Sequence, residues 1–180
     1  MQYISTQSFN VSHLRGAYRL RRGCMKTLCL YYSRTNMTKE VMENIAGIIG
    51  ADLAEYTDGK DRSGFFGYVK SCFATVNNTL PNVRIKGKVD LKAYDRVLIG
   101  MPVWVEGPCA IGRALIKKYR KRMPSEVYYV VTHMSGNNDY ASKIKAMDKF
   151  LGRPSSGQVS IRTKDNDYVK DSTQFAETLV

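Results

Sequence analysis

Along the chain, continuous apolar runs take turns with segments whose apolar residues recur every three or four positions. That pattern predicts a strand followed by a helix, repeated five times. KTLCLYY (Lys26 to Tyr32) reads as a buried strand, and after SRTNMT the positions Val41, Met42, Ile45, Ile48 and Ile49 fall at helical spacing. Gly50 punctuates, ADLAEY (Ala51 to Tyr56) alternates as a short strand, and TDGKDRSG is a polar loop. Phe65, Val69, Cys72, Phe73, Val76 and Leu80 mark one helical face, which Pro81 ends. A polar connection through KGKVDLKAYD leads into RVLIGMPVW (Arg96 to Trp104), a second continuous apolar strand that closes in the turn VWVEGP.

Pro108 suits the first turn of a helix whose buried face is Ile111, Ala114, Leu115 and Tyr119. EVYYVVTH (Glu126 to His133) is a third central strand, and MSGNND is the loop after it. A helix from Tyr140 to Leu151, a short strand GQVSIRT and a final helix from about Asp165 complete the pattern. Strands that are apolar throughout, rather than alternating, are buried on both faces. They imply an α/β three-layer sandwich with a parallel sheet between helices. In such a sheet ligands bind beyond the carboxyl ends of the strands, so three loops matter: Ser33 to Thr38, Pro102 to Pro108, and Thr132 to Tyr140.

The first loop has a definite chemistry. A buried strand that turns sharply into a helix presents unpaired backbone N–H groups at the positive end of the helix dipole. With the hydroxyls of Ser33, Thr35 and Thr38 they form an anion cradle suited to one phosphate. An ordinary hydroxyl-rich helix cap is the plain alternative. The loop lacks the Lys of GxxxxGK[ST] and is not GxGxxG, so a triphosphate is not expected. The second loop carries the only tryptophan, Trp104, against which a planar ring could lie, although tryptophans also pack structurally at loop bases. Cys29 lies inside a strand and one residue too close to Arg34 for a Cys-x5-Arg phosphatase nucleophile. Cys109 reads as a small apolar filler and His133 as a strand cap.

Composition changes the picture in three ways. The 180 residues carry 28 Lys+Arg against 16 Asp+Glu, a net charge of +12. Such a charge draws acidic partners. The basic run KKYRKR suits a helix C-terminus, and with Tyr119 its only aromatic it does not read as a nucleic-acid surface. Four cysteines without CxxC spacing point to a reducing cytoplasm, two histidines disfavour a histidine-built metal site, and no apolar run is long enough to span a bilayer. Residues 1–24 are Arg-bearing and acid-free. They read as a transit peptide, a flexible basic tail, or residues preceding a native start at Met25. The last two are favoured, because a domain whose first strand starts at Lys26 needs nothing before it. One domain over 25–180 is expected.

From Met25 onward the chain resembles the flavodoxin-like FMN-binding family, particularly its smaller bacterial and archaeal members. SRTNMT resembles the family's phosphate loop, a Ser/Thr-x-Thr-Gly-x-Thr pattern, with Asn36 in the place of Gly. Asn tolerates a left-handed backbone next best, so the turn is expected to be kept. IGMPVWVEGP resembles the second flavin loop, Gly-x-Pro-x-Trp, and THMSGNN sits at the third. The resemblance implies a five-stranded parallel sheet of order 2-1-3-4-5 and one noncovalent FMN. Ser33, Arg34, Thr35, Asn36 and Thr38 would hold the phosphate. Pro102, Val103, Trp104 and Gly107 would flank the ring, and Ser135, Gly136 and Asn137 would border its far edge. No catalytic side chain and no metal are needed.

The implied function is electron transfer through the flavin to a redox partner protein, an acidic one given the basic surface, or to a small-molecule acceptor. The alternatives are an NAD(P)H-dependent FMN reductase or quinone-type oxidoreductase, and a flavin-free binding module of the same fold. A basic body departs from the usual acidity of electron-carrier flavodoxins, which bears on the partner more than on the cofactor.

Overall fold

The computed structural model describes residues 25–60, 80–105, 107–135, 140–164 and 167–180. The N-terminal extension and the expected helical face from Phe65 to Val76 lie outside the described residues. Strand β1 (Thr27–Tyr31) leads through the first loop into helix α1 (Met37–Ile49), followed by β2 (Asp52–Thr57) and the two-residue β3 (Arg84–Ile85). A short 3-10 turn (Leu91–Ala93) precedes β4 (Arg96–Trp104), which folds back as β5 (Gly107–Pro108) before α2 (Ala110–Tyr119). Then come β6 (Glu126–His133), the short helices α3 (Ala141–Lys145) and α4 (Asp148–Leu151), β7 (Gly157–Arg162) and α5 (Tyr168–Glu177).

Parallel pairing joins β2 to β1, β1 to β4, β4 to β6 and β6 to β7. Among the described residues the sheet has seven strands, in the order β3-β2-β1-β4-β6-β7 with β5 attached to β4, where five were expected. The two additions are antiparallel and two residues long, too short to register as a hydrophobic period. One of them corrects the reading of Pro108: it pairs with Val103 in β5, and α2 begins two residues later. Its ring is compatible with an edge strand, which needs no donor on that side.

The expected helix from Tyr140 to Leu151 is also revised. Met147 N–H donates to the carbonyl of Ile144 and Phe150 N–H to that of Met147, i→i+3 bonds that tighten the backbone and divide the segment in two. Ile144, Met147 and Leu151 are all buried as a result. Gly152, at φ 79°, then ends the second piece.

The apolar runs of β1, β4 and β6 are buried because alternate residues serve opposite faces. Leu28, Leu30, Val97, Ile99, Met101, Val127 and Val131 pack on one face with Ile111, Leu115 and Ile116 of α2. Cys29, Leu98 and Val130 pack on the other with Val41, Met42 and Ile45 of α1. Asn44 of α1 donates to the hydroxyl of Ser172 at 2.7 Å, holding α5 alongside α1. The result is a sheet between two helical layers.

Candidate functional site

Strands β1 and β4 are neighbours, but the chain leaves β1 for β2 on one side and re-enters at β4 on the other. Open α/β sheets bind ligands at the carboxyl ends of two strands related in this way, and here the first and second loops leave from those ends. The strand β6 next to β4 brings the third loop to the same end. Tyr32 N–H donates to the Gly100 carbonyl at 3.1 Å, and Cys109 N–H to the Pro102 carbonyl at 3.0 Å, fixing how the first and second loops leave the sheet.

The first loop turns sharply from β1 into α1. Asn36 has φ 66° and ψ −16°, the left-handed turn that the sequence led us to expect. Its side chain makes no capping hydrogen bond, so the first-turn N–H groups of α1 are not satisfied by the usual side-chain cap. The Ser33 hydroxyl is buried without a hydrogen-bond partner. An unpaired buried hydroxyl is costly unless something fills its place. Arg34, Thr35 and Asn36 are exposed around it, while Thr38 is buried and its hydroxyl oxygen lies 2.7 Å from that of Thr132.

In the second loop Pro102, Val103 and Gly107 are partly exposed. Trp104, 3% exposed, lies beneath them and meets Tyr32 edge-on, ring centres 5.7 Å apart. Val105 has φ 60° and is exposed, an unusual conformation for a β-branched residue and the corner of the β4–β5 hairpin. In the third loop Ser135 bonds the Tyr140 hydroxyl at 3.0 Å. Gly136 and Asn137 lie outside the described residues. Of the twelve site residues read from the sequence, the structure therefore positions ten.

Two residues were missed. Tyr32 follows the first strand directly, and an aromatic in that place was the available signal. Thr132 had none, because its partner lies 94 residues away.

His133 ends β6 with its ring 4.9 Å from that of Tyr140 and its Nδ1 buried without a partner. Burial pulls its pKa below the ordinary 6.5; the Ser135 backbone acts the other way, and Arg162 adds to the lowering. Folded His133 thus takes up a proton less readily than the unfolded chain. Its contribution is in place above about pH 6.5 and is lost as the pH falls below that value. Urea unfolding should show stability declining from pH 7.5 to 5.5, with a shallower decline in His133→Gln. Equal slopes would remove His133 as the cause.

Among the described residues the cysteines, Cys29 and Cys109, offer no nucleophile here. Burial pushes the Cys29 thiol up to about 12, and Cys109 is buried with its sulfur accepting from Gly112 N–H. Among the described residues no His, Cys, Asp and Glu cluster could hold a metal, and no helix is long and apolar enough to cross a membrane. A hollow of about 260 Å³ lined by Arg162, Asp167, Lys170 and Asp171 lies beside the start of α5, its charges balanced. It contains none of the loop residues above.

No family model matches the sequence, and no curated protein matches it. Solved structures do. A flavoprotein from Lactobacillus acidophilus NCFM, in complex with FMN, is 25% identical with a TM-score of 0.62, over 82% of this chain and 99% of its own. Oxidised Flavodoxin 2 from Bacillus cereus is 15% identical with a TM-score of 0.53, over 84% of this chain and 95% of its own. Two-electron reduced Megasphaera elsdenii flavodoxin is 12% identical with a TM-score of 0.51, over 84% and 96%. The last two likenesses are of fold. Taken with the first, and with the mostly parallel sheet between two helical layers, they show that the chain has the flavodoxin-like fold and is similar to an FMN-complexed flavoprotein.

Proposed function

We propose that the chain binds one FMN noncovalently and serves as a redox protein. The observation that carries this reading is the first loop: an uncapped, left-handed entry into α1 with the Ser33 hydroxyl buried and unpaired. That arrangement fits a phosphate, whose oxygens accept from backbone and hydroxyl donors alike. The flavoprotein complexed with FMN supports the same cofactor. On this reading the five parallel strands take the flavodoxin order 2-1-3-4-5, with β3 and β5 as short antiparallel additions.

Ser33, Arg34, Thr35, Asn36 and Thr38 would hold the phosphate. Pro102, Val103, Trp104 and Gly107 would flank the ring, with Tyr32 and Trp104 packed together under it, and Ser135, Gly136 and Asn137 would border its far edge. Bound FMN would supply the redox chemistry. The protein's part is to orient the ring, exclude water from it and set the charge around it; no side chain has to act as a general base. The basic surface favours an acidic redox partner in the cytoplasm, and steady-state oxidation of NADH or NADPH by the loaded protein separates a carrier from a reductase.

Titration with FMN, followed by quenching of its fluorescence, should give saturable one-site binding. Thr35→Ala should weaken it by about tenfold, the loss of a hydrogen bond to a charged oxygen. Wild type and variant alike in showing no saturable binding would favour the flavin-free module.

A further inference from the structure

We infer that Thr132, on β6 and outside the first loop, is a positioning residue for the phosphate cradle; the inference rests on the FMN reading above. Thr38 is in the first turn of α1 and 2% exposed, and Thr132 is 3% exposed. Their hydroxyl oxygens are 2.7 Å apart, a full-strength O–H···O bond in which either could donate. Each hydroxyl has one proton and two lone pairs. If Thr38 donates to Thr132, its only proton is spent and it can offer an anion nothing but lone pairs. If Thr132 donates to Thr38, the Thr38 proton is free to point at a phosphate oxygen.

A bound phosphate accepts hydrogen bonds only, so it selects the second arrangement, Thr132 to Thr38 to phosphate. In a dry site each bond of such a chain polarises the next. Thr132 also faces little choice of rotamer, being β-branched and in a central strand that pairs with Pro102 on one side and Ile161 on the other. It therefore holds Thr38 in place as well as orienting its proton.

The test compares FMN with riboflavin, which lacks the phosphate. Thr132→Val keeps the shape and deletes the hydroxyl. Its FMN dissociation constant should rise about tenfold while that of riboflavin stays unchanged. Thr132→Ser should bind FMN as wild type does. In a double-mutant cycle, Thr132→Val should add little to Thr38→Val, because Thr132 acts through the Thr38 hydroxyl. Circular dichroism of the flavin-free proteins controls for folding, and Thr132→Ala replaces the valine variant if that one does not fold.

A wild type that prefers FMN, with Thr132→Val keeping the whole of that preference, overturns the role of Thr132 alone. A wild type that binds FMN no better than riboflavin overturns the phosphate cradle, and this inference with it.

Discussion

Gly100→Val lowers the unfolding free energy by about 3 kcal/mol, the upper end of what overpacking a core costs. A Cβ on Gly100 would lie 2.4 Å from Cγ and 2.6 Å from Sδ of Met42, so α1 rests on β4 where β4 has no side chain. Cγ is near the root of Met42, and swinging the end of the side chain away does not clear it. The Gly100 carbonyl also accepts from the Tyr56 hydroxyl at 3.0 Å and from Tyr32 N–H at 3.1 Å. A shift of β4 at this point is therefore passed to the start of the first loop. Urea unfolding measures the loss, and adding Met42→Ala should recover part of it by opening the space. A cost below about 1 kcal/mol would mean that α1 does not approach the sheet this closely.

Asn36→Val is the second large effect, and it falls on binding. With φ at 66°, Asn36 occupies a region where ordinary L-residues cost roughly 1–2 kcal/mol and β-branched ones more. Valine will pull the turn toward an extended conformation and rotate the neighbouring N–H groups away from the cradle. FMN affinity should fall by about tenfold or more, since 1.4 kcal/mol is a factor of ten. Asn36→Gly should bind at least as well as wild type, because glycine adopts the same φ without strain. Isothermal titration of the three proteins decides the matter. Equal affinities for valine and glycine variants would show that the left-handed turn is not what forms the site.

The sequence was informative where a residue's surroundings are set by its own neighbours. Arg96–Trp104 and Glu126–His133 are strands with the bounds read from their runs, because a mostly apolar stretch buried on both faces stands out between polar residues such as Arg96, Glu126 and His133. The left-handed turn at Asn36 was legible because few residues tolerate it. Pro108 misled, since a proline suits both a helix start and an edge strand, and only the return of the chain onto Val103 decides between them. The break between α3 and α4 lies in the i→i+3 bonds at Met147 and Phe150, which helical spacing of apolar residues does not reveal.

The site divides in the same way. The hydroxyls of the first loop are adjacent in sequence and could be read together. The pairing of Thr38 with Thr132, and of Tyr32 with Trp104, exists only once β1, β4 and β6 lie side by side. The burial of the Ser33 hydroxyl is likewise a product of packing.

The most direct test is a visible absorption spectrum of the purified protein after incubation with FMN and removal of the excess by gel filtration. The retained protein should be yellow, with one flavin per chain and its fluorescence quenched by the nearby aromatic rings. A protein that folds, as its circular dichroism would show, yet emerges colourless would contradict the assignment of the three loops to FMN.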